Sequence, residues 1–229
     1  MLVKLNITIL VALLIANPGI AAADNKKVLE VHYRGEISGE NNRKFFSSIK
    51  GQQAKRLLIS STGGEVEAGI ELGRWVFLHD LDVVVEDVCL SSCANYVFTA
   101  GVKKLILPGA IVAWHGNYHH LQLTGGWKDD IESRMSRYDE SRQQAQEFVM
   151  HQLDKLVQLE KDFFSMIAVD EAICWIAKLP PYSVSDYYFL SIEDMASFGV
   201  VDVESPIDYR TTDVSHLPVS VIYVNLKAK

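Results

Sequence analysis

Residues 56–59 are a short β-rich run that passes straight into Ser60-Ser61-Thr62-Gly63-Gly64. From Glu65 onward, apolar residues at Val66, Ile70, Leu72, Val76 and Phe77 recur at roughly helical spacing. A strand, a glycine turn and a helix in immediate succession form a unit, and the chain repeats it. Residues 28–33 alternate like a strand and 41–49 read as a helix. Residues 82–88 are a Val-rich strand, and 94–100 a short helix closed by Gly101. Two further strands follow at 104–107 and 111–114. Strands alternating with helices call for parallel pairing and an α/β fold.

Three of these strands end in residues with chemistry. The first ends in Gly63-Gly64, a turn whose backbone N–H groups are free to face a ligand. The second leads into Cys89-Leu90-Ser91-Ser92-Cys93-Ala94, where a strand gives way to a helix. The third ends in Trp114-His115. Each has a bland reading: Gly-Gly pairs are mostly turns, serine is a preferred N-cap, and a lone histidine beside a tryptophan is mostly structural. As a set they are the parts of an acyl-transfer site, with an oxyanion hole, a nucleophile and a base. Both Ser91 and Ser92 are candidate nucleophiles. His115, His119 and His120 also read as metal ligands, but no carboxylate or cysteine follows at ligand spacing.

The N-terminus points to export. Met1-Leu2-Val3-Lys4 is a basic start, residues 7–16 are uninterrupted and apolar, Asn17-Pro18-Gly19 breaks the run, and Ala21-Ala22-Ala23 suits a signal peptidase. The apolar run is short for a membrane span, which needs about 20 residues; an uncleaved anchor is the alternative. Cleavage after Ala23 leaves residues 24–229, or 229 − 23 = 206 residues, enough for a single domain with a sizeable core. Losing Lys4 takes the formal charge from −7 to −8. An acidic exported chain without a basic cluster is a poor nucleic-acid binder. In a periplasmic or secreted protein, three cysteines (Cys89, Cys93 and Cys174) allow one disulfide and one free thiol, and the sequence leaves the pairing open.

Residues 128–159 differ in character. Ile131, Met135, Tyr138, Ala145, Phe148, Val149, Leu153, Leu156 and Val157 trace one apolar stripe, so the segment reads as one long amphipathic helix, or two with a bend. Such length leaves part of the stripe for its own domain or for another subunit. Helices are also expected at 170–177 and 191–198, and a strand at 219–224.

These segments resemble the Clp protease proteolytic subunit and, more widely, the Clp/crotonase superfamily. Residues 58–69, from Leu58 through Gly63-Gly64 to Gly69, are similar to its strand–Gly-Gly–helix segment. Ser91-Ser92-Cys93-Ala94 with the following apolar helix is similar to its nucleophile segment, and Leu107-Pro108 through His115 to its base segment. Phe189-Leu190-Ser191 through Asp202 is similar to its last helix and strand. The resemblance implies a stacked ββα spiral with a helical head insertion at about 117–180, and a serine peptidase needing no cofactor. It selects Ser92 as nucleophile, since Ser92 directly precedes the helix and lies 115 − 92 = 23 residues before His115. His115 is then the base, and the Gly64 and Cys93 N–H groups form the oxyanion hole. The family's aspartate position is taken here by Tyr187, with Asp186 one residue earlier. A one-residue bulge would bring Asp186 onto His115; otherwise Asp202, a backbone carbonyl or water fills that role. The resemblance also implies peptide or unfolded-protein substrates and a homo-oligomer built through the head. No Gly-x-x-x-x-Gly-Lys-Ser/Thr loop is present and ATP is not expected outside the cytoplasm, which argues against an ATPase partner. A catalytically degenerate peptide-binding module is the alternative, ahead of an acyl-CoA enzyme.

Overall fold

The computed structural model describes residues 29–226. The proposed signal segment, 1–23, lies outside them. The strands are β1 (Glu30–Arg34), β2 (Arg56–Ser61), β3 (Asp82–Leu90), β4 (Lys104–Ile106), β5 (Ile111–Ala113), β6 (Tyr187–Leu190), β7 (Val203–Glu204) and β8 (Val221–Val224). The α-helices are α1 (Gly39–Ser48), α2 (Val66–Leu78), α3 (Tyr118–Thr124), α4 (Lys128–Tyr138), α5 (Arg142–Ile167) and α6 (Ile192–Ser197). A π-helix spans Cys93–Phe98, and 3₁₀ turns occupy Glu171–Cys174, Ile176–Lys178 and Tyr209–Thr211.

The fold is α/β, as the alternation requires. The main sheet runs β1-β2-β3-β4-β7, with β5 also on β3, and every pairing is parallel. Strand β3 is long enough to serve two neighbours. Its first half, Val83–Val85, pairs with β4, and its second half, Val88–Leu90, pairs with β5. That split brings the C-terminal ends of β3 and β5 side by side. β6 and β8 form a separate parallel pair. A two-way backbone bridge between Trp114 and Tyr188 joins the end of β5 to β6, with both N–H···O distances 2.9 Å.

Helix α2 covers the sheet next to the π-helix. Its Gly69 and Gly73 lie one turn apart on the face that meets Tyr96. A Cβ on Gly69 would sit 2.7 Å from the Tyr96 ring and 3.0 Å from Ser92 Cβ, so small residues there permit the approach.

The segment at 128–159 takes the second of its two expected forms. It is two helices, and α4 ends at Asp139 in a left-handed conformation. Ser141 then starts α5 with a capping box, accepting from Gln144 N–H while the Gln144 side chain accepts from Ser141 N–H. Between the two helices lies a small cluster of Ile131, Ala145 and Val149, flanked by Trp127 and Met135. Farther along α5, Phe163 and Phe164 enter the main core and pack on Tyr96. The helix expected at 170–177 is a pair of 3₁₀ turns, the first capped by Asp170. No helix among the described residues is long and apolar enough to cross a membrane.

Candidate active site

The turn after β3 is built around Ser91. Its φ of 55° lies in the left-handed region that L-residues seldom adopt. Its N–H bonds Ala113 O at 3.1 Å, and its carbonyl accepts from Asn95 N–H at 2.8 Å. This sharp strand-to-helix turn lifts the side chain out of the backbone, as at the nucleophile elbows of other folds. A Cys89–Cys93 disulfide encloses Leu90, Ser91 and Ser92, and Cys174 remains a buried free thiol. The bridge settles the pairing that the sequence left open, and it removes Cys93 sulfur as a competing nucleophile.

The two adjacent serines face different partners. Ser91 Oγ lies 2.7 Å from His115 Nε2. Ser92 is 2% exposed and donates its hydroxyl to Gly64 O at 2.7 Å. The contact with His115 expected for Ser92 is therefore made by Ser91, while Ser92 ties the serine turn to the Gly-Gly turn. The physical reason is local. The left-handed residue falls at Ser91, and Ser92 already has helical dihedrals, which turn its side chain inward.

The Gly-Gly turn packs directly on this segment. Gly63 has φ 91°, and a Cβ there would stand 2.6 Å from Leu90 O and 2.7 Å from Ser91 Cβ. Ile37 brackets Gly64, donating to Gly63 O and accepting from Glu65 N–H. Gly64 N–H has no hydrogen-bond partner among the described residues. In the π-helix segment the first backbone donor to be satisfied is Asn95 N–H. Ser92 and Cys93 N–H groups precede it and have no intrahelical acceptor, as at every helix start.

His115 opens on the cleft, yet enough of its ring is enclosed that desolvation is the main influence on it. Its pKa is lowered by that burial, then by the Lys178 charge; Asp186 acts in the opposite sense and His120 adds slightly to the lowering. A neutral imidazole can accept a hydroxyl proton at Nε2. The carboxylate expected on His115 is not in contact with it. Asp186 Oδ2 accepts from Ser220 N–H at 3.1 Å, and Lys178 Nζ is 3.0 Å from Asp186 O. What meets the imidazole is Tyr187, stacked at 4.5 Å between centroids and 24° between planes. No one-residue bulge intervenes, because β6 begins at Tyr187 in regular register with Val221. Asp202 accepts Lys104 N–H at the β4–β7 edge.

The cleft has a volume of about 290 Å3 and is lined by Gly64, Ser91, His115 and His120 with apolar walls from Val66 and Leu121. Asn95 Nδ2 donates to Gly116 O at 3.1 Å, fastening the helix after Ser91 to the residue after His115. Asn117 caps α3, and His119 Nδ1 pairs with Glu171 at 2.7 Å. Sequence reasoning placed Tyr187 at the family's aspartate position but gave it no role, and it passed over Asn95 and Glu160. Only Glu160 left a signal, as a carboxylate on the apolar side of α5 between Val157 and Phe163.

No family model matches the sequence, and no curated protein matches it. Solved structures do. The chain is similar to ClpP1 from Listeria monocytogenes at 16% identity, with 78% of this chain and 92% of that one covered and a TM-score of 0.40. A point mutant of that protein covers 52% of this chain and 77% of its own at 17% identity and a TM-score of 0.36. A 1510-N membrane-bound stomatin-specific protease, also a mutant, is 13% identical over 52% of this chain and 67% of that one, at a TM-score of 0.31.

Proposed function

We propose that the protein is an exported serine peptidase that cleaves short or unfolded peptide segments, with Ser91 as nucleophile and His115 as base. The observation that carries this reading is the 2.7 Å approach of Ser91 Oγ to His115 Nε2 on a left-handed strand-to-helix turn. The His115 pKa lies below its ordinary value, so the imidazole is neutral near pH 7. As Ser91 Oγ bonds to the substrate carbonyl carbon, its proton passes to Nε2. The carbonyl oxygen becomes an oxyanion held by the N–H groups of Gly64 and Ser92, the latter replacing Cys93 because the nucleophile lies one residue earlier. His115 returns the proton to the leaving amine, and the carbon–nitrogen bond breaks. Water then repeats the sequence on the acyl-enzyme. Removing one oxyanion donor typically costs about 3–4 kcal/mol of transition-state stabilisation.

Tyr187 holds the imidazole in place of an orienting carboxylate, through stacking and through cation–π attraction once Nε2 is protonated. The Cys89–Cys93 bridge supports an exported location, where disulfides persist. Assembly through α4 and α5 into a homo-oligomer belongs to the same reading.

A fluorophosphonate probe tests it. The folded protein should acquire one adduct at Ser91, lost in Ser91→Ala and kept in Ser92→Ala. No adduct on the folded wild type would overturn the assignment. One observation favours a second reading, a peptide-binding module without turnover: Asp186 is engaged by Ser220, leaving His115 without a carboxylate. That reading expects no adduct and equal peptide binding by wild type and Ser91→Ala.

A further inference from the structure

Glu160 is a carboxylate with no exposed surface, on a helix whose other buried side chains are all apolar. It is fully engaged, and its partners come from both arms of the cleft. Tyr96 OH, on the π-helix that follows Ser91, donates to Oε1 at 2.5 Å. Tyr118 N–H, three residues after His115, donates to the same oxygen at 3.2 Å. His119 N–H donates to Oε2 at 3.1 Å. One side chain of α5 thus joins the nucleophile helix to the start of the helix after the base. Asn95 makes a parallel tie through Gly116 O, but within the cleft wall and without charge.

We infer that ionised Glu160 is a positioning residue that aligns Ser91 with His115 by clamping the two segments that carry them; this rests on the peptidase reading of the cleft.

The chemistry of the clamp requires the carboxylate form. Three donors converge on it, and its two oxygens accept all three. A proton on either oxygen adds a fourth donor, so at least one N–H or O–H loses its acceptor. An orphaned buried donor is costly, and hydrogen bonds to a charged acceptor are the stronger ones. The groups facing Glu160 supply no positive charge that would hold it ionised. The π-helix contributes Tyr96, whose hydroxyl burial keeps neutral. The 3₁₀ turn after α5 contributes Glu171, whose charge opposes ionisation, and buried Cys174, whose thiol burial likewise keeps neutral. His119 is turned toward Glu171. Tyr118 is raised by its own burial and by Asp130, Glu160 and Glu67. Burial therefore dominates and pushes Glu160 up to about 7, against the three hydrogen bonds that lower it. Near neutral pH the clamp is poised between closed and open.

Two readouts test this, one independent of chemistry. Amide hydrogen exchange on the full chain, corrected for intrinsic rates, should show Tyr118 and His119 gaining protection as pH rises through about 7. Glu160→Gln should remove that gain. Tyr96→Phe, which keeps the carboxylate and loses one lowering hydrogen bond, should move it to higher pH. In parallel, the rate of fluorophosphonate labelling at Ser91 should show the same limb. It should fall by about tenfold in Glu160→Gln, the loss expected for a hydrogen bond to a charged group. Wild-type pH profiles in both variants, for protection and labelling alike, would overturn the proposal. Absence of labelling in the wild type with the exchange transition present would instead overturn the peptidase reading and leave the clamp standing.

Discussion

Tyr187 lies nearly flat on His115, with 4.5 Å between ring centroids. The two rings are brought together by the Trp114–Tyr188 bridge, which sets the end of β5 against the start of β6. Stacking fixes the plane of the imidazole but supplies no acceptor for Nδ1–H and no full negative charge. An aromatic pair is worth about 0.5–1.5 kcal/mol beyond burial. Tyr187→Ala should therefore lower kcat by roughly two- to tenfold with little change in KM, and Tyr187→Phe should restore most of it. Steady-state kinetics on a fluorogenic peptide checks both variants.

The paired serines make a sharper prediction. Ser91→Ala should abolish turnover while leaving the melting temperature within a degree or so, because among the described residues the Ser91 side chain is bonded only to His115. Ser92→Ala should do the reverse. It removes a part-buried hydrogen bond to Gly64 O, at a cost of about 0.5–1.5 kcal/mol, or roughly 2–4 °C per kcal/mol in a chain of this size. Calorimetry and probe labelling on both variants separate the two roles.

The base should be neutral at working pH. Burial and Lys178 both lower the His115 pKa, so activity should rise with pH through a limb below the ordinary 6.5. Lys178→Gln removes the second of these influences and should move the imidazole titration upward. Following the His115 ring proton by NMR against pH measures this directly, apart from any other ionisation. A downward move or none would show that the Lys178 charge does not reach the ring.

Glu160 also predicts the pH dependence of stability. Burial raises its folded-state pKa from the ordinary 4.5 to about 7. An acid raised in this way binds its proton more tightly folded than unfolded. Its favourable contribution is complete below the unfolded pKa and is lost as pH rises through the folded one. The shift corresponds to a loss of about 3 kcal/mol between about pH 4 and pH 8. Urea unfolding at several pH values should show that decline in the wild type and a flatter curve in Glu160→Gln. The protein thus gives up stability to reach the form that holds the cleft together.

The disulfide encloses the one left-handed residue of the cleft turn. Replacing both Cys89 and Cys93 by alanine frees a loop of five residues, worth about 2 kcal/mol on loop entropy alone. It also leaves Ser91 to hold a conformation that costs about 1–2 kcal/mol unaided. Labelling at Ser91 should slow by more than the stability loss predicts, measured well below the melting temperature.

The sequence by itself determined the elements whose causes are local. The alternation of apolar runs with helical spacing sets the parallel α/β plan. The Gly63-Gly64 turn, the two serines at a strand end and His115 at another mark the cleft, because strand ends in such a sheet converge on one side. The apolar stripe at 128–159 left one helix or two open; the left-handed Asp139 and the capping box at Ser141 and Gln144 make it two. Only the tertiary structure decided which atoms meet. Ser91 rather than Ser92 faces His115 because a single left-handed dihedral, followed by a wide π-turn, rotates one side chain out and the next in. Tyr187 rather than Asp186 reaches the imidazole because the register of β6 against β8 and Trp114 assigns faces residue by residue, and a slip of one exchanges them. Glu160 finds its donors across 64 residues to Tyr96 and 42 to Tyr118. No short-range pattern carries that distance; the packing of α5 on the π-helix and α3 does.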